Sequence, residues 1–229
     1  MKKLFYPLVL LGSLILVPSA ASAAPYVSAN IGIASPSNVV TDVFSYDGFS
    51  MHRTVETPLD SGVILLGAVG YDFGNCRIEG EVGYQKTSSS GLSLQTYNGI
   101  QHDEYHLTGD GSVLSFLVNT YYDIHVNHIK PYITGGLGVA RFSIEDVGGD
   151  IIDPSDGISA QTATALVYQV GCGVEIPISN TISMDARYRH FATKNFNLLF
   201  SPDLVEDNIN ANNIHFSSNS LLIGLNVKI

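Results

Sequence analysis

The chain has 229 residues, 45% of them hydrophobic and 14% charged, with 21 acidic residues against 11 basic ones and a formal net charge of −10. That length allows one domain. The acidic balance, without any basic cluster, excludes nucleic acid as an expected partner, and two cysteines make no disulfide framework.

Lys2 and Lys3 open the chain and an apolar run from Leu4 to Val17 follows, with small residues from Ser19 to Ala24. This is the layout of a secretory signal, and Ala21 and Ala23 occupy the two positions a signal peptidase reads. The run is shorter than the roughly 20 apolar residues of a spanning helix. The expected division is therefore a signal peptide over 1–23 and a mature domain over 24–229. Without Lys2 and Lys3, nine basic residues face 21 acidic ones, a formal charge of −12. No later stretch has the length and apolarity of a transmembrane helix.

Residues 26–34 alternate, with Val27, Ala29, Ile31 and Ile33 on one face and Ser28, Asn30 and Gly32 on the other. Residues 35–61 lose the pattern and read as a long loop. A second strand over 62–73 sets Val63, Leu65, Val69, Tyr71 and Phe73 against Ala68, Gly70 and Asp72. After the tight turn Gly74-Asn75, residues 76–86 give the clearest alternation. There Arg77, Glu79, Glu81 and Gln85 oppose Ile78, Val82 and Tyr84.

A second long loop covers 87–112. Residues 113–124 oppose Leu114, Phe116, Val118, Tyr122 and Ile124 to Ser115, Asn119, Tyr121 and Asp123. A short turn near 125–130 leads into 131–141, where Ile133, Leu137 and Val139 oppose Tyr132, Thr134, Gly136, Gly138 and Ala140. A third long loop spans 142–161. Residues 162–176 set Leu166, Tyr168, Val170, Cys172 and Val174 against Gln169, Gly171, Gly173 and Glu175. After a short turn at 177–180, residues 182–191 oppose Ile182, Met184, Ala186 and Tyr188 to Ser183, Asp185, Arg187 and Arg189. A fourth long loop, 192–213, precedes the last strand, 217–229. Its Leu221, Ile223, Leu225, Val227 and Ile229 share a face opposite Ser220, Gly224, Asn226 and Lys228, with Leu222 the exception.

Eight strands joined alternately by long and short links describe a chain that crosses a slab and returns, with tight turns on one side and free loops on the other. That rhythm predicts an all-β, eight-stranded, antiparallel up-and-down transmembrane barrel with short periplasmic turns and four long extracellular loops. Backbone groups in hydrocarbon must be satisfied internally, so residues 26–34 and 217–229 are expected to pair and close the sheet.

The polarity of the two faces sets which one is inside. Asp72, Arg77, Glu79, Glu81, Asn119, Asp123, Gln169, Glu175, Asp185, Arg187, Arg189 and Lys228 form the polar set. An Arg or Lys facing lipid at mid-depth costs about 2–4 kcal/mol, whereas inside a narrow barrel these groups can pair. They are expected to fill the lumen as a structural network. The glycines of the same face, from Gly32 to Gly224, make room for them. Tyr26, Phe73, Tyr84, Tyr122, Tyr168 and Tyr188 are candidates for interfacial girdles. Eight strands enclose only enough room for side chains, which argues against a nutrient pore. Cys76 and Cys172 lie in different strands; an oxidising compartment would permit pairing, but neither closes a loop.

The pieces YVSANIGIA, GYDF with EGEVGY, NTYYDI with KPYITGGLGVA, YQVGCGVEIPIS with RYRHF, and LLIGLNVKI stand in an order and spacing that resemble the opacity-like and rickettsial-type surface antigens. These small outer-membrane barrels share the architecture of the membrane domain of OmpA. The resemblance covers nearly the whole mature chain. It implies a cell outer-membrane location, insertion by the barrel-assembly machinery, and a non-enzymatic role in surface structure, adhesion or immune recognition. Members commonly end in Phe, whereas this chain ends in Ile229.

Three places carry candidate chemistry. Glu145, Asp146, Asp150, Asp153 and Asp156 in the third loop are hard oxygen ligands of the kind Ca²⁺ takes, although their spacing is not that of an EF-hand. A solvated acidic loop is the simpler reading. The four long loops hold 15 of the 21 acidic residues, so divalent ions bridging them to one another or to lipopolysaccharide phosphates are a further expectation. His190 lies on the outward face beside the interface, but no serine and carboxylate partner it in sequence. Loops 35–61 and 87–112 carry Phe44, Tyr46, Phe49, Met51, Tyr97, Ile100 and Tyr105, a composition suited to contact with a host or surface ligand or to a lid over the barrel mouth. No cofactor is expected. The alternatives are a soluble or periplasmic barrel carrying an apolar ligand, and a lipid-modifying outer-membrane enzyme.

Overall fold

The structure is a computed structural model that describes residues 23–37, 39–47, 49–57, 59–89, 92–96, 102–105, 107–144, 148–149, 161–194, 196–200 and 209–229. Eight long strands form the barrel: β1 (Ala24–Pro36), β2 (Gly62–Asp72), β3 (Cys76–Ser89), β4 (Leu107–Asp123), β5 (Lys130–Ile144), β6 (Gln161–Pro177), β7 (Ile182–Thr193) and β8 (Ser217–Lys228). Each pairs antiparallel with its neighbours in sequence. β1 also pairs with β8, from Tyr26 opposite Lys228 to Pro36 opposite Ser218, and Ile229 N donates to Pro25 O at 2.9 Å. No edge of the sheet is left open, as hydrocarbon demands.

The strands lie where apolar and polar residues alternate, and β3, β4 and β5 run further toward the long links than the alternation does. The short turns have local causes. Gly74 takes a positive φ of 93° and its N–H donates to Asp72 Oδ1 at 2.8 Å. Asn127 takes φ 51° in the turn closed by Val126 and Ile129. Ser179 Oγ accepts from the N–H of Ile182 at 3.0 Å in the third.

The long links differ from the irregular loops expected. The first is a hairpin of Val39–Asp47 and Phe49–Thr57, the second carries Leu92–Thr96 and His102–Tyr105, and the fourth carries Phe196–Phe200 and Ile209–Ile214. These six strands form a second antiparallel sheet. Its order follows the order β7-β8-β1-β2-β3-β4 below it, so each hairpin continues the two wall strands from which it rises. The alternation is missing there for a physical reason: above the membrane no lipid sorts the two faces by polarity. In the third link the described residues add only Gly148–Gly149, paired with β4.

The wall is inverted relative to a water-soluble domain. Ile78, Val82, Phe116, Leu137, Met184 and Leu221 are exposed on its outer surface, Leu137 to 70%, whereas Glu79 is 2% exposed and Arg189 1%. Inside, the upper half carries two apolar clusters beside buried Gln85, Ser115, Thr193, Ser218 and Ser220. Val113, Leu117, Ala140, Val167, Phe191 and Phe216 make one cluster, with Leu59 and Phe142 packed against it. Ala34, Ile64, Leu66 and Leu222 make another. Tyr26, expected in an interfacial girdle, is instead buried inside, because it shares the face of Ser28 and Asn30. Tyr84, Tyr122, Tyr168 and Tyr188 are exposed on the outer wall.

The closing register is directly testable in a variant lacking Cys76 and Cys172. Ala29 and Leu225 are opposite each other across β1 and β8, at a separation of about 4.5–5.5 Å between Cα atoms, so Ala29→Cys with Leu225→Cys should cross-link on mild oxidation. Ala29→Cys with Asn226→Cys, whose side chains point to opposite faces, should not. Peptide mapping reads both outcomes.

Candidate functional site

The lower half of the lumen, toward the short turns, gathers the polar face of every strand. Asp72, Arg77, Glu79, Glu81, Asn119, Asp123, Gln169, Glu175, Asp185, Arg187 and Arg189 are all buried there. Lys228 differs: it is partly exposed at the mouth, with Nζ 3.5 Å from Asp72 Oδ2.

Two arginines organise the cluster. Arg77 donates to Asp123 Oδ1 at 2.8 Å and Glu175 Oε2 at 2.9 Å, and its guanidinium lies over the rings of Tyr121 and Tyr132, 4.6 and 5.0 Å from their centroids. Arg187, deeper, stands 3.4 Å from Glu81 and from Asp185, and 4.0 Å from Glu79. Arg189 reaches Glu81 at 3.4 Å and packs against the Phe191 ring, where the polar half gives way to the apolar one.

Six carboxylates (Asp72, Glu79, Glu81, Asp123, Glu175, Asp185) thus face three guanidiniums and one ammonium. Neutral donors supply the difference. Glu79 accepts from Tyr26 OH at 2.9 Å, from Tyr121 OH and from Asn119 Nδ2 at 3.3 Å. Asn226 donates to Glu175 at 3.1 Å, and Tyr132 OH donates to Asp185 at 2.6 Å. Such donors let a buried carboxylate remain paired without a cation of its own.

These bonds depend on glycines at fixed register positions. Tyr26 of β1 lies across Gly70 of β2 to reach Glu79 of β3, the three being in register. Asn119 of β4 crosses Gly136 of β5 and accepts from Gln169 of β6 at 2.6 Å. Tyr132 of β5 crosses Gly173 of β6 and meets Arg187 of β7 at 3.1 Å. A Cβ on Gly70 would stand 2.7 Å from the Tyr26 ring, and one on Gly136 or Gly173 would overlap the side chain that crosses it. Each long polar side chain therefore ties a strand to its second neighbour. Sequence reading placed these glycines on the inner face; the residues that cross them become legible only once the register is known.

Other expected sites stand apart. Glu145, Asp146, Asp150, Asp153 and Asp156 lie outside the described residues. Among the described residues no group of three or more His, Cys, Asp or Glu is placed to hold a metal. Phe44, Tyr46, Phe49, Met51 and Tyr105 fall on strands of the upper sheet, while Tyr97 and Ile100 lie outside the described residues. Cys76 and Cys172 are free. Two strands separate theirs in register, roughly 14 Å, too far for a bridge. His190 bonds Asn219 at 2.9 Å and has no serine partner among the described residues.

The model of the outer membrane protein beta-barrel domain family matches residues 7–224. The chain belongs to this family. Its barrel lies in the outer membrane, with the apolar wall in lipid. Among solved structures the chain is similar to Neisserial surface protein A (NspA), at 19% identity over 91% of this chain and 99% of that one, TM-score 0.51. It is also similar to OprG from Pseudomonas aeruginosa, at 15% identity over 90% and 96%, TM-score 0.56. The outer membrane protease OmpT from Escherichia coli aligns at 9% identity over 89% and 97%, TM-score 0.50. At these identities the likeness is one of fold. A comparison with curated proteins gives no match.

Two substitutions probe the lumen of this outer-membrane barrel. Arg187→Met leaves Glu79, Glu81 and Asp185 without their shared cation, and urea unfolding in lipid vesicles should show a loss of about 3–5 kcal/mol. Gly136→Val, which forces Asn119 off its path to Gln169, should cut the yield of the heat-modifiable folded form. Gly80→Val, with nothing within 4 Å of the new Cβ, should leave that yield unchanged.

Proposed function

We propose that the chain is a non-enzymatic surface protein of the opacity-like or rickettsial type, exported on a signal peptide over residues 1–23 and inserted by the barrel-assembly machinery. The barrel is a sealed scaffold and its lumenal charges serve stability. The three hairpins that continue its wall serve recognition of a host or surface ligand.

The observation that carries this reading is the filled lumen beneath a raised sheet. Arg77, Arg187 and Arg189 are paired across the lower half, and phenylalanines and branched aliphatics pack the upper half. Together the two sets of side chains occupy the lumen from the short turns to the rim, which supports a scaffold rather than a channel. The charges that a soluble carrier would turn outward are turned inward here, which disfavours the apolar-carrier reading. A triad-type lipid hydrolase would require a nucleophile and base in contact, and His190 bonds an amide instead.

Replacing residues 40–56, the upper part of the first hairpin, by a short turn should leave outer-membrane abundance and heat-modifiability intact while abolishing adherence of expressing bacteria to host cells. Full adherence by that variant contradicts the reading. In planar bilayers the wild-type protein should show no steady conductance; a stable open channel contradicts a sealed scaffold.

A further inference from the structure

The lumenal network holds more carboxylates than cations, six against three guanidiniums and the ammonium of Lys228. Asp72 stands at the mouth, where the short turns are. Its Oδ1 accepts from the Gly74 N–H at 2.8 Å. Its Oδ2 meets, among the described residues, only the Lys228 Nζ, 3.5 Å away on a partly exposed side chain.

That contact passes over the first residue of β1. Asp72 of β2 is in register with Ala24, and Lys228 of β8 is in register with Tyr26. The two strands flank β1 and lie roughly 10 Å apart, so carboxylate and ammonium meet above the inner face of β1 beside Ala24. The methyl of Ala24 leaves them room, as glycine does for the crossings deeper in the tube. The ladder also aims the backbone. Ile229 N donates to Pro25 O, so Pro25 bonds toward β8, and by alternation the nitrogen of Ala24 is turned toward β2 and Asp72. Ala23, just before it, is exposed and outside the strand.

The ladder therefore starts at the cleavage point that Ala21 and Ala23 mark in the sequence. In the uncut chain the Ala24 nitrogen is a neutral amide. Hydrolysis of the bond between Ala23 and Ala24 takes up one water. Ala23 leaves with the new carboxylate, and Ala24 keeps a new ammonium, mostly protonated at neutral pH. We propose that this ammonium is a fifth cation of the lumenal network, paired with Asp72, and that removal of the signal thereby locks the start of β1 to its neighbours. Of its three N–H groups, one faces the β2 backbone and two are free to turn to the carboxylate. The inference rests on the reading of residues 1–23 as a signal peptide and gives the cut itself a role. The uncut chain forms the same ladder but leaves Asp72 to Lys228 alone.

The test expresses the full chain in outer membranes in four forms: wild type, Asp72→Asn, an insertion of Ser-Gly between Ala23 and Ala24, and both changes together. Asn keeps an acceptor for the Gly74 N–H, and the insertion carries the new ammonium up to about 7 Å away. Mass spectrometry of each mature chain fixes its first residue. In urea unfolding from lipid vesicles the insertion should lower the folding constant about tenfold, and the double change should lose no more than Asp72→Asn alone. Losses that multiply would overturn the pairing. A second readout does not depend on how stable the variants are. With acetic anhydride at neutral pH, the α-amine of the folded wild type should react about ten times more slowly than that of folded Asp72→Asn; equal rates would overturn the proposal as well. A mature wild-type chain that begins elsewhere than Ala24 would overturn the signal reading and this proposal with it. A start at Ala24 with multiplying losses overturns the pairing alone.

Discussion

A wall that meets hydrocarbon can expose neither charge nor an unpaired backbone group, and every other feature of this barrel follows from that constraint. Closure between β1 and β8 satisfies the backbone. The polar side chains must then meet inside a tube only eight strands wide. Tyr26, Asn119 and Tyr132 do so by spanning two strands at a time, with glycine in the strand between, at Gly70, Gly136 and Gly173, while Arg77 and Arg187 reach carboxylates across the tube. The arrangement locks register, since a slip of one residue would set a side chain where the glycine stands and turn the charges toward lipid.

The two halves of the lumen divide the work. Near the short turns, guanidiniums, carboxylates and tyrosine hydroxyls pair across the tube. Nearer the loops, Phe191, Phe216, Val113, Leu117 and Val167 pack as in a soluble core. Arg189 stands at the junction, held by Glu81 on one side and by the Phe191 ring on the other. A charge network carries a large desolvation cost, and the apolar layer above it excludes water without adding to that cost. The wall then continues past the membrane as the second sheet, so the extracellular hairpins stand on the strands that anchor them.

Much of this was legible in the sequence because lipid imposes a period of two. The eight strands, their up-and-down order and the buried residues from Asp72 to Arg189 follow from that alternation, while Lys228 sits partly exposed at the mouth. The apolar layer left a fainter trace in consecutive apolar residues such as Ile64-Leu65-Leu66 and Leu221-Leu222, where both faces are greasy. Tyr26 lies inside because it shares the parity of Ser28 and Asn30, which outweighs the interfacial preference of its ring. The hairpin strands leave no such trace, because nothing above the membrane sorts their faces. Tyr188 meets Asn219 across β7 and β8, a neighbour that cannot be known before the register is.

The absence of tryptophan from the chain makes the central claim open to one clean measurement. Single tryptophans placed at Val82, Met184 or Leu137, on the wall, and at Leu117 or Leu222, inside, can be read by fluorescence in vesicles of lipids brominated along their acyl chains. Strong quenching at the first three positions with little at the last two is the expected result. Quenching at Leu117 and Leu222 with protection at Val82, Met184 and Leu137 would contradict it.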